Sequence, residues 1–90
     1  MQLLTISGFK SLSTLEQTGY INSLFKKYYG EEFLYIDDGK IYDVTDDTKT
    51  PINNLLDYVL GLNYDIDSLY SQAKRFFKVT KKQLLEKYFK

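Results

Sequence analysis

The chain has 90 residues, enough for one small domain, and its 12 Lys and Arg balance 12 Asp and Glu. At 43% hydrophobic and 17% aromatic it holds enough apolar material for a core, which excludes a disordered chain. The absence of Cys and His excludes a disulfide framework, thiolate or imidazole metal sites, a thiol nucleophile and Ser-His catalysis.

The first stretch is short and apolar. Gln2–Ile6 reads as a strand that Ser7-Gly8 ends. A helix follows. Ser13 can cap it, with Glu16 three residues on completing a capping box. Ile21, Leu24, Phe25 and Tyr28 then fall at i, i+3, i+4 and i+7, one face of a helix. Gly30 is its stop. Gly19 weakens the middle by roughly 1 kcal/mol relative to Ala, and reads as a close packing contact or a break.

Residues 32–44 read as a hairpin. The runs Glu32–Ile36 and Lys40–Val44 flank Asp38-Gly39, a pair that supplies the positive φ angles of a type I′ turn. With that turn, Asp37 faces Lys40, Ile36 faces Ile41, Tyr35 faces Tyr42 and Phe33 faces Val44. One face then carries Phe33, Tyr35, Tyr42 and Val44, and the other Leu34, Ile36 and Ile41. Thr45–Thr50 reads as a polar loop. Thr50 is the expected cap of the next helix, with Pro51 at its first position. Ile52, Leu55, Leu56, Val59 and Leu60 form its apolar stripe, and Gly61 and Asn63 end it.

A third helix is expected over Asp67–Phe77, with Asp67 as N-cap and Leu69, Ala73, Phe76 and Phe77 buried. In the fourth, Thr80 and Gln83 form a capping box and Val79 staples onto Leu84. Leu84, Leu85, Tyr88 and Phe89 form its apolar face. The order is β-α-β-β-α-α-α, a single α+β domain over residues 1–90 with an Asp-Gly hairpin packed against helices.

Catalytic equipment is missing. The five glycines are scattered singly, so no phosphate loop forms, and there is no nucleophile elbow or zinc motif. Asp37, Asp38, Asp43, Asp46 and Asp47 lack EF-hand spacing and read as turn and loop chemistry. The expectation is a protein that is not an enzyme, with no metal and no cofactor. No apolar run approaches the roughly 18–20 residues that span a bilayer. The N-terminus lacks the basic start of a signal peptide. A cytoplasmic protein with no membrane partner is expected. Eleven Lys to one Arg, one Ala and nine Tyr suggest a low-GC bacterial, phage or plasmid gene.

Charge is segregated along the chain: +2 over residues 1–30, −8 over 31–67 and +6 over 68–90. Either the opposite signs face each other, within a monomer or across a homodimer, or each meets an outside partner. Tyr28, Tyr29, Tyr35, Tyr42, Tyr58, Tyr64, Tyr70 and Tyr88 exceed what a small core buries, and Tyr is enriched at protein interfaces. The leading expectation is a small binding module that regulates or inhibits another macromolecule. A protein partner would meet Tyr35, Asp37, Asp38, Tyr42, Asp43, Asp46 and Asp47. A host-targeting or anti-defence role for a phage or mobile element fits the size and composition.

The alternative lies in the C-terminal third. Residues 71–85 resemble a helix-turn-helix: a small residue (Ala73) in the first helix, a short turn ending in Val79-Thr80, and Leu84 four residues on. The interval from Ala73 to Val79 is one residue longer than the family pattern, and Lys78 stands where a turn Gly is usual. The resemblance implies a DNA-binding regulator that uses Lys74, Lys78, Lys81, Lys82 and Gln83. Lys81 and Lys82 also stand in the first turn of a helix, where its dipole disfavours cations.

Overall fold

The computed structural model describes residues 2–61 and 65–89. They form an α+β structure of five helices and one three-stranded antiparallel sheet. The elements are α1 (Ile6–Lys10), α2 (Thr14–Tyr29), β1 (Leu34–Asp37), β2 (Lys40–Thr45), β3 (Thr48–Ile52), α3 (Leu55–Leu60), α4 (Ile66–Phe76) and α5 (Lys81–Tyr88). The chain divides into two compact units, one of Lys10–Leu55 and one of Met1–Phe9 with Leu56–Lys90.

In the first unit α2 is bracketed as expected. Ser13 Oγ accepts from the Glu16 N–H at 3.2 Å, and Glu16 Oε1 accepts from the Ser13 N–H at 3.1 Å. The latter bond holds the Glu16 carboxyl below its ordinary pKa. Gly30 ends the helix at φ 79°, where its N–H donates to Lys26 O. Ile21, Leu24 and Phe25 are buried and Tyr28 half-buried. Gly19 is neither a contact nor a break: it is exposed, and an added Cβ would meet nothing within 4 Å. Gly19→Ala is therefore expected to raise stability by about 1 kcal/mol, read as a higher urea midpoint at unchanged slope.

The sheet runs β1-β2-β3. Asp38 and Gly39 take φ 53° and 76°, and Tyr35↔Tyr42, Ile36↔Ile41 and Asp37↔Lys40 pair in the expected register. The expected loop Thr45–Thr50 is instead a second hairpin. Asp46 and Asp47 take φ 48° and 66°, turning β2 into β3 without a glycine. Asp tolerates this region because its short polar side chain bonds locally. Thr50 is consequently not a helix cap, and Pro51 and Ile52 belong to β3 rather than to a helix.

The ladder explains why Pro51 is tolerated. Val44 N–H bonds Phe33 O at 2.9 Å, so the bonds between β1 and β2 fall at every second pair from there, Tyr35↔Tyr42 included. Ile41, Asp43 and Thr45 then turn their backbone groups to β3. Pro51 pairs with Tyr42, so its nitrogen points off the outer edge, where no N–H is needed.

The same alternation directs the backbone of Leu34 away from β2. There Asn22 of α2 meets it like a neighbouring strand. Asn22 Nδ2 donates to Leu34 O at 2.9 Å, and Leu34 N–H donates to Asn22 Oδ1 at 3.0 Å. Both residues are buried.

The second unit brings residues 2–9 together with residues beyond 55. Residues 2–5 form no strand, contrary to the expectation for Gln2–Ile6. Leu4 O accepts from the Lys78 N–H at 2.7 Å, and Thr5 Oγ1 caps α1 by accepting from the Gly8 N–H at 3.0 Å. Phe9 of α1 meets Phe77 edge-on at 5.1 Å between ring centroids. Leu56, Val59, Leu60, Leu69, Ala73, Phe76, Phe77 and Leu84 are buried with them.

Gly61 follows α3 at φ 75°; Asn63 and Tyr64 lie outside the described residues. The cap of α4 is Asp65, not Asp67: its carboxylate accepts from Ser68 N–H and Oγ. The Thr80–Gln83 box forms with both bonds. Of the expected apolar face of α5 only Leu84 is buried, and Leu85 and Phe89 are exposed.

Candidate functional site

The pleat places alternate residues on one face of the sheet. Register puts Tyr35, Tyr42 and Pro51 in one row across the three strands, with Asp37 on β1 and Val44 and Lys49 on the same face. Leu34 and Ile41 point the other way and are buried. Tyr35 is 54% exposed, a large value for an aromatic residue in a strand. Tyr42 and Val44 are half-buried.

Lys49 organises this face. From β3 it reaches across β2 to β1. Its ammonium lies 4.2 Å from the Tyr42 ring centroid and 2.8 Å from Asp37 Oδ2. The hydrogen bond from Lys49, and then its charge, holds the Asp37 carboxyl below the ordinary carboxylate range. The same bond raises the Lys49 ammonium above its ordinary value.

The seven residues expected to form one surface separate. Tyr35, Asp37 and Tyr42 share the open face, and Asp38 stands beside them in the turn. Asp43 pairs in register with Leu34 and Thr50, so it belongs to the opposite face, where it accepts from Thr45 Oγ1 at 2.6 Å. Asp46 and Asp47 occupy the turn at the far end of β2. Six strand residues separate the two turns, about 20 Å at the rise of a strand. Acids that are neighbours in sequence therefore do not make one cluster. Lys49 is the participant that the sequence concealed, because its position depends on β3.

Beside β1 lies an aromatic group. Phe33 meets Phe25 at 5.3 Å and Tyr29 at 6.1 Å, and Tyr29 is exposed. The unit Lys10–Leu55 carries eight acids and five bases.

The other unit carries seven bases and four acids. Its basic residues are partly engaged. Lys81, expected to stand in its helix turn without compensation, is ion-paired with Asp67 across to α4. That hydrogen bond, and then the charge of Asp67, raises the Lys81 ammonium above its ordinary value. Lys74 lies 5.3 Å from the Tyr70 ring centroid. Gln83 accepts from the Thr80 N–H at 2.9 Å, so its side chain serves the cap. Lys78 and Lys82 are exposed.

Among the described residues no group of three Asp or Glu is placed to hold a metal ion, and no helix is long and apolar enough to cross a membrane. Comparison with protein families, curated proteins and solved structures found no match.

Proposed function

We propose that the chain is a small non-enzymatic binding module, a regulator or inhibitor that engages a protein partner through the open face of its sheet. The observation that carries this reading is Tyr35, more than half exposed on a strand and set directly across the ladder from Tyr42. A solvent-facing aromatic on a rigid hairpin offers large contact area with little side-chain entropy to lose on binding. The two tight turns and the register of the three strands hold that surface in place before any partner arrives. Cytoplasmic action, and a host-targeting or anti-defence role for a phage or mobile element, belong to the same proposal.

A helix-turn-helix reader at α4–α5 is the weaker alternative. Of its five expected contacts, Lys81 pairs with Asp67, Gln83 is held in the capping box and Lys74 lies against Tyr70. The two readings separate in one experiment. A photo-crosslinking residue is placed at position 35 or at position 82 of the full chain, in extract of the source cell. Protein adducts at 35 and not at 82 are expected, with no nucleic-acid adduct at 82 and no mobility shift of duplex DNA at about 50 mM salt. Absence of adducts at 35 overturns the sheet-face reading.

A further inference from the structure

The contact made by Lys49 has the chemistry of a ligand site. A carboxylate supplies opposite charge and a ring face supplies its quadrupole, the two groups that together hold a cation. Asp37 comes from β1, Tyr42 from β2 and the cation from β3, so the pairing of β1 with β2 that sets the two cradle residues does not involve the strand that carries Lys49. Both ends of the ion pair are open to solvent, at 48% and 65% exposure, so water and outside ions reach the contact. An exposed pair of this kind exchanges readily.

Lysine is also the poorer fit. An ammonium is a compact charge that meets one carboxylate oxygen. A guanidinium is planar, so it can take both carboxylate oxygens while lying flat on a ring. Asp38, next in the chain, adds a second negative charge at this end of the sheet, and Tyr35 extends the aromatic surface from the neighbouring strand. Lys40, paired in register with Asp37, is the other cation near the cradle. Once Lys49 is displaced, Asp37 and Asp38 outnumber Lys40 at this end of the sheet, which favours a cationic group and opposes a polyanion.

We infer that the Asp37–Tyr42 cradle is an arginine-binding site for a basic segment of a partner protein, and that Lys49 is a resident stand-in which the partner's guanidinium displaces. This rests on the sheet face being the partner surface, and names the chemistry of what it takes.

The test is an amide NMR titration of the full chain with an oligo-arginine peptide, and with an oligo-lysine peptide of equal length. Arginine peptide is expected to shift Tyr35, Asp37, Tyr42 and Lys49, and to bind about threefold or more tighter than lysine peptide. Lys49→Ala, and Lys49→Met with most of its stem kept, are expected to tighten arginine binding by about threefold. Asp37→Asn and Tyr42→Leu are expected to weaken it by about fivefold. Retained amide spectra show that each variant is folded. Equal binding of the two peptides, shifts confined to Asp46 and Asp47, or no tightening in both Lys49 variants would overturn the inference. Persistent partner adducts at position 35 in that case leave the sheet-face reading standing. Cradle binding without such adducts leaves the arginine site standing and removes the reading of a partner surface.

Discussion

Asn22→Ala is expected to lower the stability of the protein by about 3 kcal/mol, since each buried backbone group left without a partner costs about 1–3 kcal/mol. The substitution removes one donor and one acceptor at once, and both bonds go to the backbone of Leu34, which is only 2% exposed. Alanine leaves that N–H and C=O facing the space the amide filled. Asn22→Leu restores volume but neither bond, so it does not rescue. Asn22→Asp keeps the acceptor for Leu34 N–H but sets a buried carboxylate oxygen against Leu34 O, so a loss at least as large as that of alanine is expected at neutral pH, and a smaller one in acid, where the protonated carboxyl can donate to Leu34 O. Urea denaturation measures the free energies. Amide exchange at Leu34 gives a local reading, with faster exchange expected in all three variants. A loss in the alanine variant smaller than about 1 kcal/mol would mean that water or a backbone shift replaces the amide.

Phe77→Ala is expected to cost about 3–5 kcal/mol, the range for a fully buried phenylalanine, and Phe9→Ala a similar amount. Both rings are 1% exposed and they meet edge to face. For a domain of this size such a loss is a large part of the whole stability. The pair adds a sharper test. Their edge-to-face contact should appear in a double-mutant cycle as a coupling of about 1 kcal/mol, the double variant losing less than the sum of the singles. Thermal unfolding of the four proteins measures it. Strict additivity would mean that each ring is held by its other neighbours alone.

Elements with explicit punctuation are legible in the amino-acid sequence. Ser13, Glu16 and Gly30 bracket α2, Thr80 and Gln83 start α5, and Asp38-Gly39 sets the register of β1 on β2. Elsewhere the local signal points to a structure that the chain does not adopt. Asp46-Asp47 makes a hairpin turn with no glycine to announce it. Pro51 carries the mark of a helix start, yet sits on a sheet edge where its nitrogen bonds nothing. Missing β3 hid Lys49, and with it the contact that joins Asp37 to Tyr42. Tyr35 and Tyr42 were legible as neighbours because pairing follows from the first turn alone. Gln2–Ile6 looked like a strand from its apolar residues, but a strand needs a partner, and Leu4 bonds the chain before α5 instead. The role of Asp67 was misplaced by two residues, because Asp65 offers the same capping chemistry.

The discontinuous unit carries a consequence for biosynthesis. Lys10–Leu55 is continuous in sequence, so its helix and sheet can form while later residues are still being added. Residues 2–9 cannot settle at that stage: Leu4 waits for the amide of Lys78 and Phe9 for the ring of Phe77. A nascent chain halted after Leu55 therefore presents Phe9 to the surrounding water, and to any chaperone that gathers apolar side chains, until the carboxyl-terminal helices emerge.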